Sequence, residues 1–176
     1  MVELLQGLPA QVAPDCRVLV LGSMPGTASL TQARYYAHPR NRFWPLMGQL
    51  LGFDPQLDYS QRLQALQQGG AGLWDVIGQC VRPGSLDAAI ERTSIVANPL
   101  PELLTGLPQL RAVACNGAAA LQAWQRYVAP QLALPQFAGV PPLQVLGLPS
   151  TSPANAAFPL PRLMQHWQAL IPLLDA

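Results

Sequence analysis

Four short apolar runs divide the chain and predict four buried β-strands. They are Arg17–Leu21, Gly72–Ile77, Arg111–Cys115 and Leu143–Leu148. Their shortness and branched side chains favour strands over helices. Helical patterns of apolar residues lie between and after them, at 42–52, 60–68, 117–127 and 160–174. Ser60 is the expected N-cap of the second helix. This alternation predicts an α/β fold with a parallel sheet that helices cover on both faces.

Length and composition predict one compact domain over residues 1–176. The chain has 176 residues and is 50% apolar, so it can bury a sizeable core. No apolar run is long enough to span a membrane, and the start of the chain does not resemble a secretory leader. The three cysteines are scattered without a C-x-x-C pair, which argues against a zinc ribbon or an iron–sulfur cluster. Their odd number favours the reducing cytoplasm.

The net charge of +1, with charged residues at only 11%, argues against a polybasic nucleic-acid-binding protein. The charge is unevenly spread, however, because two long stretches, 16–53 and 103–174, contain no acidic residue. Every basic residue in the chain is Arg, the side chain best suited to phosphate, although a GC-rich genome would produce the same bias. We expect a local positive face that holds Arg34, Arg40 and Arg42.

The segments after three of the predicted strands are rich in small and turn-forming residues. They are Gly22-Ser23-Met24-Pro25-Gly26, Asn116-Gly117 and Pro149–Asn155. The carboxyl ends of parallel strands share one sheet edge, where ligands bind near the reversal of strand order. Small residues there let a ligand approach the backbone closely, although they also serve simple tight turns.

The segment 35–44, with the sequence YYAHPRNRFW, combines four aromatic rings with two Arg. Such a combination suits an extruded nucleobase, which stacks on a ring while a guanidinium holds phosphate. Phe43 and Trp44 are expected to pack in the core. Tyr36, in the loop before Pro39, is the better stacking candidate.

Four ordered motifs make the chain similar to a known family. GSMPG at 22–26, YYAHPRNRFW at 35–44, CNG at 115–117 and LPSTSPAN at 148–155 together resemble the uracil-DNA glycosylase superfamily. The stretch Tyr36–Trp44 is similar to that of the mismatch-specific enzymes. The detailed form looks most like the hypoxanthine-DNA glycosylase (DNA-deoxyinosine glycosylase) family, over about Val18 to Leu174.

The resemblance implies a three-layer α/β/α sandwich with a four-stranded parallel sheet of order 2-1-3-4. It also implies hydrolysis of the N-glycosidic bond of a deaminated base in DNA, by a monomer without metal or organic cofactor. Met24 departs from the mismatch-specific relatives, which have Asn there. The resemblance to the hypoxanthine family assigns the catalytic task of holding water to Asn41, whose alternative role is to cap a helix.

The other residues of the motifs receive binding roles. Asn116 is expected to bond the edge of the base, or else to cap a helix, with Gly22, Ser23 and Met24 beside it. His38, Arg40 and the hydroxyls of the fourth-strand loop are expected to bind DNA. These hydroxyls belong to Ser150, Thr151 and Ser152. The resemblance implies that Ala154 or Asn155 fills the gap that the flipped nucleotide leaves. Asp75 and Asp87, outside the motifs, are interpreted as turn and cap residues.

The sequence therefore predicts a monofunctional DNA glycosylase that acts on deaminated bases, preferably hypoxanthine. Without lysine, the chain has no side chain for a Schiff-base lyase step, so hydrolysis by water is expected, with the N-terminal amine as the one remaining alternative. The alternatives are a uracil- or mismatch-specific glycosylase, or a non-catalytic nucleic-acid-binding protein of the same fold.

Overall fold

A computed structural model describes residues 3–176. The strands are β1 (Leu4–Gln6), β2 (Val18–Gly22), β3 (Ala71–Asp75), β4 (Ile77–Val81), β5 (Val96–Ala97), β6 (Ala112–Asn116) and β7 (Gln144–Leu148). The α-helices are α1 (Thr27–Gln32), α2 (Phe43–Leu51), α3 (Tyr59–Gln68), α4 (Leu100–Thr105), α5 (Ala118–Ala123), α6 (Ala129–Leu132), α7 (Leu160–Trp167) and α8 (Ile171–Leu174). Within this part of the chain, no helix has the length and apolar character needed to cross a membrane.

The central sheet has four parallel strands in the order β3-β2-β6-β7. Counted within this sheet the order is 2-1-3-4, which confirms the predicted topology. The order reverses between β2 and β6, so the loops after these two strands flank the switch point.

Both faces of the sheet are covered, as the fully buried strand β2 shows. Its residues alternate between two cores: Val18 and Val20 pack with Phe43 and Trp167 on one face. Leu19 and Leu21 pack with residues of α4 and α5 on the other face. These two cores define a three-layer α/β/α sandwich, and they confirm the buried positions predicted for Phe43 and Trp44.

The structure corrects several predicted boundaries. Ser60 does not cap α3: Asp58 does, through a capping box in which Gln61 is the reciprocal partner. The predicted strand 72–77 is in fact two strands, since β3 ends at Asp75 and the chain turns into β4. Strand β4 pairs antiparallel with β1 and β5 in a second sheet that the sequence patterns did not predict.

Candidate active site

A cleft lies at the carboxyl edge of the central sheet, beside the switch point. Its volume is about 180 Å³, well above the roughly 10–15 Å³ that a cavity needs to hold one water molecule. Its walls include Gly22, Tyr36, Asn41, Asn116 and Ser150. The structure therefore brings all four motifs of the sequence to one place.

Tyr36 forms an aromatic wall of the cleft. Its ring stacks on Phe43, with centroids 4.0 Å apart and an angle of 21° between the planes. Its backbone is left-handed, with φ of 55°, which is uncommon for a residue with a bulky side chain and tends to occur at functional sites. The phenol oxygen is buried and has no hydrogen-bond partner among residues 3–176. Burial, followed by the charge of Asp75, raises the pKa of Tyr36 well above its usual range.

Asn41 lines the cleft and also supports the start of α2. Its Oδ1 accepts a hydrogen bond of 2.9 Å from the backbone N–H of Phe43, and its own N–H donates to the carbonyl of His38. Asn41 is not the N-cap itself, because Arg42 occupies that position; Asn41 supports the helix start from one residue earlier. An amide oxygen has two lone pairs, so this contact leaves one acceptor position for water.

The side chain of Asn116 forms hydrogen bonds with the loop that follows β7. Its Nδ2 donates to Thr151 Oγ1 and its Oδ1 accepts from the Thr151 backbone N–H, both at 3.0 Å. Asn116 is not a helix cap, because Gly117 occupies that position before α5. Thr151 is 0% exposed. Its predicted contact with DNA phosphate is therefore wrong, because the hydroxyl faces Asn116 inside the protein.

The remainder of this loop is held by local hydrogen bonds. The Ser152 N–H donates to Ser150 Oγ, and the Ala154 N–H donates to Ser152 Oγ. Asn155 is tied to the Ser150 carbonyl through its side-chain amide. Ala154 is exposed. Of the two residues proposed to enter the DNA, Ala154 is the one that stands free at the surface.

Arg42 clamps the same loop from the other side. Its guanidinium donates to the backbone carbonyls of Ser152, Asn155 and Phe158, and its Nε donates to that of Thr151. These bonds are internal, so the prediction that Arg42 belongs to a positive DNA-binding face is wrong.

Arg34 and Arg40 remain available at the surface. Both are exposed, and the Arg34 guanidinium lies 5.6 Å from the centre of the Tyr59 ring. His38 lies on the cleft wall, where its Nδ1 accepts a hydrogen bond from the Arg40 N–H. In neutral His38 the proton therefore sits on Nε2, which can act as a donor.

Two carboxyl groups from outside the motifs also line the cleft. Asp87 accepts a hydrogen bond from the hydroxyl of Ser23. Asp75 is only 5% exposed, and burial, together with the charge of Asp87, raises its pKa to about 7. The interpretation of Asp75 as a turn residue is therefore wrong. The signal that indicates its position is an acidic residue inside the otherwise apolar predicted strand Gly72–Ile77.

Gly22 and Met24 shape the cleft beside these carboxyl groups. A Cβ atom at Gly22 would lie 2.4 Å from Asp75 Oδ1, so the close approach of this side chain requires glycine. Met24 is buried and packs with Ile77 and Cys80. Its thioether cannot orient a water molecule as an amide would.

Sequence and structure comparisons define the class. The family model of the uracil DNA glycosylase superfamily matches residues 9–171, and the chain belongs to this superfamily. Within it, a protein named hypoxanthine DNA glycosylase from Methanosarcina barkeri is 39% identical over 113 residues. A protein of the same name from Methanosarcina acetivorans is 35% identical over 113 residues. Each alignment covers 64% of this chain and 70% of the relative.

A solved structure confirms the fold. The solution NMR structure of a candidate uracil DNA glycosylase from Methanosarcina acetivorans superposes with a TM-score of 0.78 and 31% sequence identity. The match covers 99% of this chain and 100% of that chain.

Proposed function

We propose that the chain is a monofunctional DNA glycosylase that removes hypoxanthine from DNA. One observation carries this proposal: Tyr36 and Asn41 line the same cleft at the switch point. Tyr36 offers an aromatic ring that stacks on Phe43, and Asn41 offers an amide oxygen as acceptor. The two relatives named hypoxanthine DNA glycosylase support the choice of base.

The proposed mechanism begins with extrusion of the damaged nucleotide from the duplex. The base stacks on Tyr36, whose opposite face Phe43 supports. The free acceptor position of Asn41 holds a water molecule for attack on C1′ of the sugar. The water oxygen bonds to C1′, the bond from C1′ to the base breaks, and the base leaves with the electron pair. The water loses one proton to become the 1′-hydroxyl, and the departing base takes up one proton, so the hydrolysis balances.

The DNA backbone is assigned to exposed and half-buried groups near the cleft. Arg40 and His38 lie close to the cleft mouth, and the hydroxyls of Ser150 and Ser152 are the phosphate-binding candidates that remain after the correction of Thr151. Ala154, at the exposed tip of its loop, is assigned to the gap in the base stack.

We propose that the enzyme works as a monomer. We also propose that it works in a reducing compartment, as expected for the cytoplasm. Cys16, Cys80 and Cys115 are buried free thiols. Burial raises the pKa of Cys16 and of Cys115 to about 12, so neither thiol is a ready nucleophile. Size-exclusion chromatography with light scattering tests the monomer.

A substrate panel tests the function. Matched duplexes that carry one hypoxanthine, uracil or xanthine are incubated with the protein and then treated with alkali, which cleaves abasic sites. We expect the fastest cleavage at hypoxanthine. Cleavage only at uracil would support a uracil-specific enzyme, and binding without cleavage would support a non-catalytic module.

A further inference from the structure

Asp75 occupies a position that the proposed mechanism does not yet use. It is the last residue of β3 and stands opposite Gly22 in the parallel register. Its backbone carbonyl accepts a hydrogen bond of 2.8 Å from Asn98 Nδ2, which fixes the end of the strand. The absence of a Cβ at Gly22 leaves room for Asp75 Oδ1, and the side chain lines the cleft beside Tyr36.

Asp75 Oδ2 and the hydroxyl of Tyr36 are both buried without a hydrogen-bond partner in the described part of the chain. Buried polar atoms are nearly always paired, so two orphans beside one cavity indicate that a bound polar group completes them. The neighbouring polar side chains are already engaged: Asn116 with Thr151, and Ser23 with Asp87. Of the two carboxyl groups in the cleft, Asp75 is therefore the one that is available to form a hydrogen bond with a ligand.

We propose that Asp75, as a neutral carboxylic acid, contacts the flipped base and donates a hydrogen bond to its carbonyl oxygen. This assignment rests on the proposed function, and it names the group that recognises the base. A neutral carboxyl carries one donor and one acceptor, which match the O6 and N1–H of hypoxanthine. An ionised carboxylate offers only acceptors and repels the charge that gathers on the departing base.

The surroundings of Asp75 favour its neutral form near neutral pH. Burial and the charge of Asp87 raise its pKa to about 7, while Arg82 opposes the shift. The Arg82 guanidinium is itself held by the carbonyls of Pro25 and Gly84. The other titratable groups around the carboxyl are the phenols of Tyr35 and Tyr36, and His38 lies on the cleft wall.

The donated hydrogen bond strengthens as the glycosidic bond breaks, because negative charge then develops on the base. Donors placed at developing charge are among the largest contributors to catalysis, and removal of one typically lowers turnover about 100-fold or more. Asp75 would in this way take over the base recognition that the sequence assigned to Asn116, whose amide is bonded inside the protein.

The test compares Asp75→Asn and Asp75→Leu with the intact protein in single-turnover excision from a hypoxanthine duplex, as a function of pH. In the intact protein the rate should fall as pH rises through about 7. Asp75→Asn keeps an N–H donor, so its rate should not depend on pH in this range and should be about 10-fold below that of the intact protein at low pH. Asp75→Leu should be about 100-fold slower than the intact protein below pH 7, and this difference should shrink as the intact carboxyl ionises above pH 7. Asp15→Asn, at an exposed turn, is the control for loss of a carboxylate.

Binding of free hypoxanthine, measured by calorimetry, separates this inference from the proposed function. The intact protein should bind the base more tightly below pH 7 than above it, and Asp75→Asn should show no such dependence. If the protein excises hypoxanthine but Asp75→Asn keeps the full pH profile of rate and binding, the inference is overturned while the function stands. If no base is excised yet hypoxanthine binding depends on Asp75 and pH, the inference stands and the function fails.

Discussion

Asn116 and Thr151 are joined by two hydrogen bonds of 3.0 Å, in which each residue both donates and accepts. This pair connects the end of β6 to the loop after β7 and is closed to solvent at Thr151. An Asn beside a cleft is readily interpreted as a ligand-binding group. In this protein the Asn116 side chain instead holds in place the loop that forms the opposite wall of the cleft.

Thr151→Val removes one of these bonds while keeping the shape of the side chain. We expect the free energy of unfolding to fall by about 1–3 kcal/mol, because Asn116 Nδ2 loses its buried partner. Urea denaturation measures the change, with Thr93→Val at an exposed position as the control. Equal stability of Thr151→Val and the intact protein would show that the Asn116 amide finds another partner.

Arg42 and Arg40 provide a matched pair of substitutions two residues apart. Arg42→Ala removes the guanidinium that binds the carbonyls of the 149–158 segment, so this segment should exchange amide hydrogens faster and the protein should be less stable. Arg40→Ala should leave hydrogen exchange unchanged. It should instead weaken DNA binding and reduce the salt dependence by about one phosphate contact.

The two roles of Asn41 can be separated by substitution. Asn41→Ala removes both the cap on the Phe43 N–H and the acceptor for water. It should lower stability by about 1 kcal/mol and abolish most turnover. Asn41→Ser offers a shorter capping oxygen and should recover stability without recovering turnover. A rate near that of the intact protein in Asn41→Ser would show that Asn41 only supports the start of α2.

Gly22→Ala tests the close approach of Asp75. The added methyl group would lie 2.4 Å from Asp75 Oδ1, so the carboxyl group must move. We expect a clear loss of hypoxanthine excision and of hypoxanthine binding. Gly139→Ala is the control, because a Cβ there meets no atom within 4 Å. Unchanged excision in Gly22→Ala would show that the position of Asp75 is unimportant.

The buried Asp75 carboxyl should make stability depend on pH in an unusual direction. Its pKa rises from 3.8 to about 7 on folding, so the folded protein holds a proton that the unfolded chain releases. The contribution of Asp75 to stability is present below pH 4 and is lost as pH rises to about 7, by at most about 4 kcal/mol. Comparison of urea midpoints for the intact protein and Asp75→Asn across this range checks the slope. A difference that does not change with pH would contradict the shift.

The sequence patterns predicted the central sheet because its strands are apolar and bounded by turn residues. The second sheet escaped prediction because β1 and β5 have only three and two residues and β4 has no clear alternation of buried and exposed positions. At the site, Tyr36 and Asn41 were found through the motif that contains them. Asp75 was not, because it was interpreted as a turn residue, although it lies within the apolar run that predicted the strand.

Long-range contacts explain the remaining errors. Arg40 and Arg42 have the same side chain and lie two positions apart, and only the folded loop after β7 decides that one faces solvent and the other faces carbonyls. Thr151 and Ser152 are equally plausible phosphate ligands in the sequence. Only Thr151 is turned into the protein, because its hydroxyl bonds to Asn116, which is 35 residues away in the chain.

The Arg42 clamp grips its loop through main-chain carbonyls alone. Because every residue has a main-chain carbonyl, these hydrogen bonds do not depend on which side chains the loop carries. Substitutions at Pro153 or Ala154, whose side chains make no hydrogen bond in the loop, can therefore accumulate without loss of the loop's path, as long as its length is kept. Arg42 therefore allows the sequence of the loop, and with it the DNA preference of the enzyme, to change with little loss of stability. Directed evolution of this enzyme would begin in this loop.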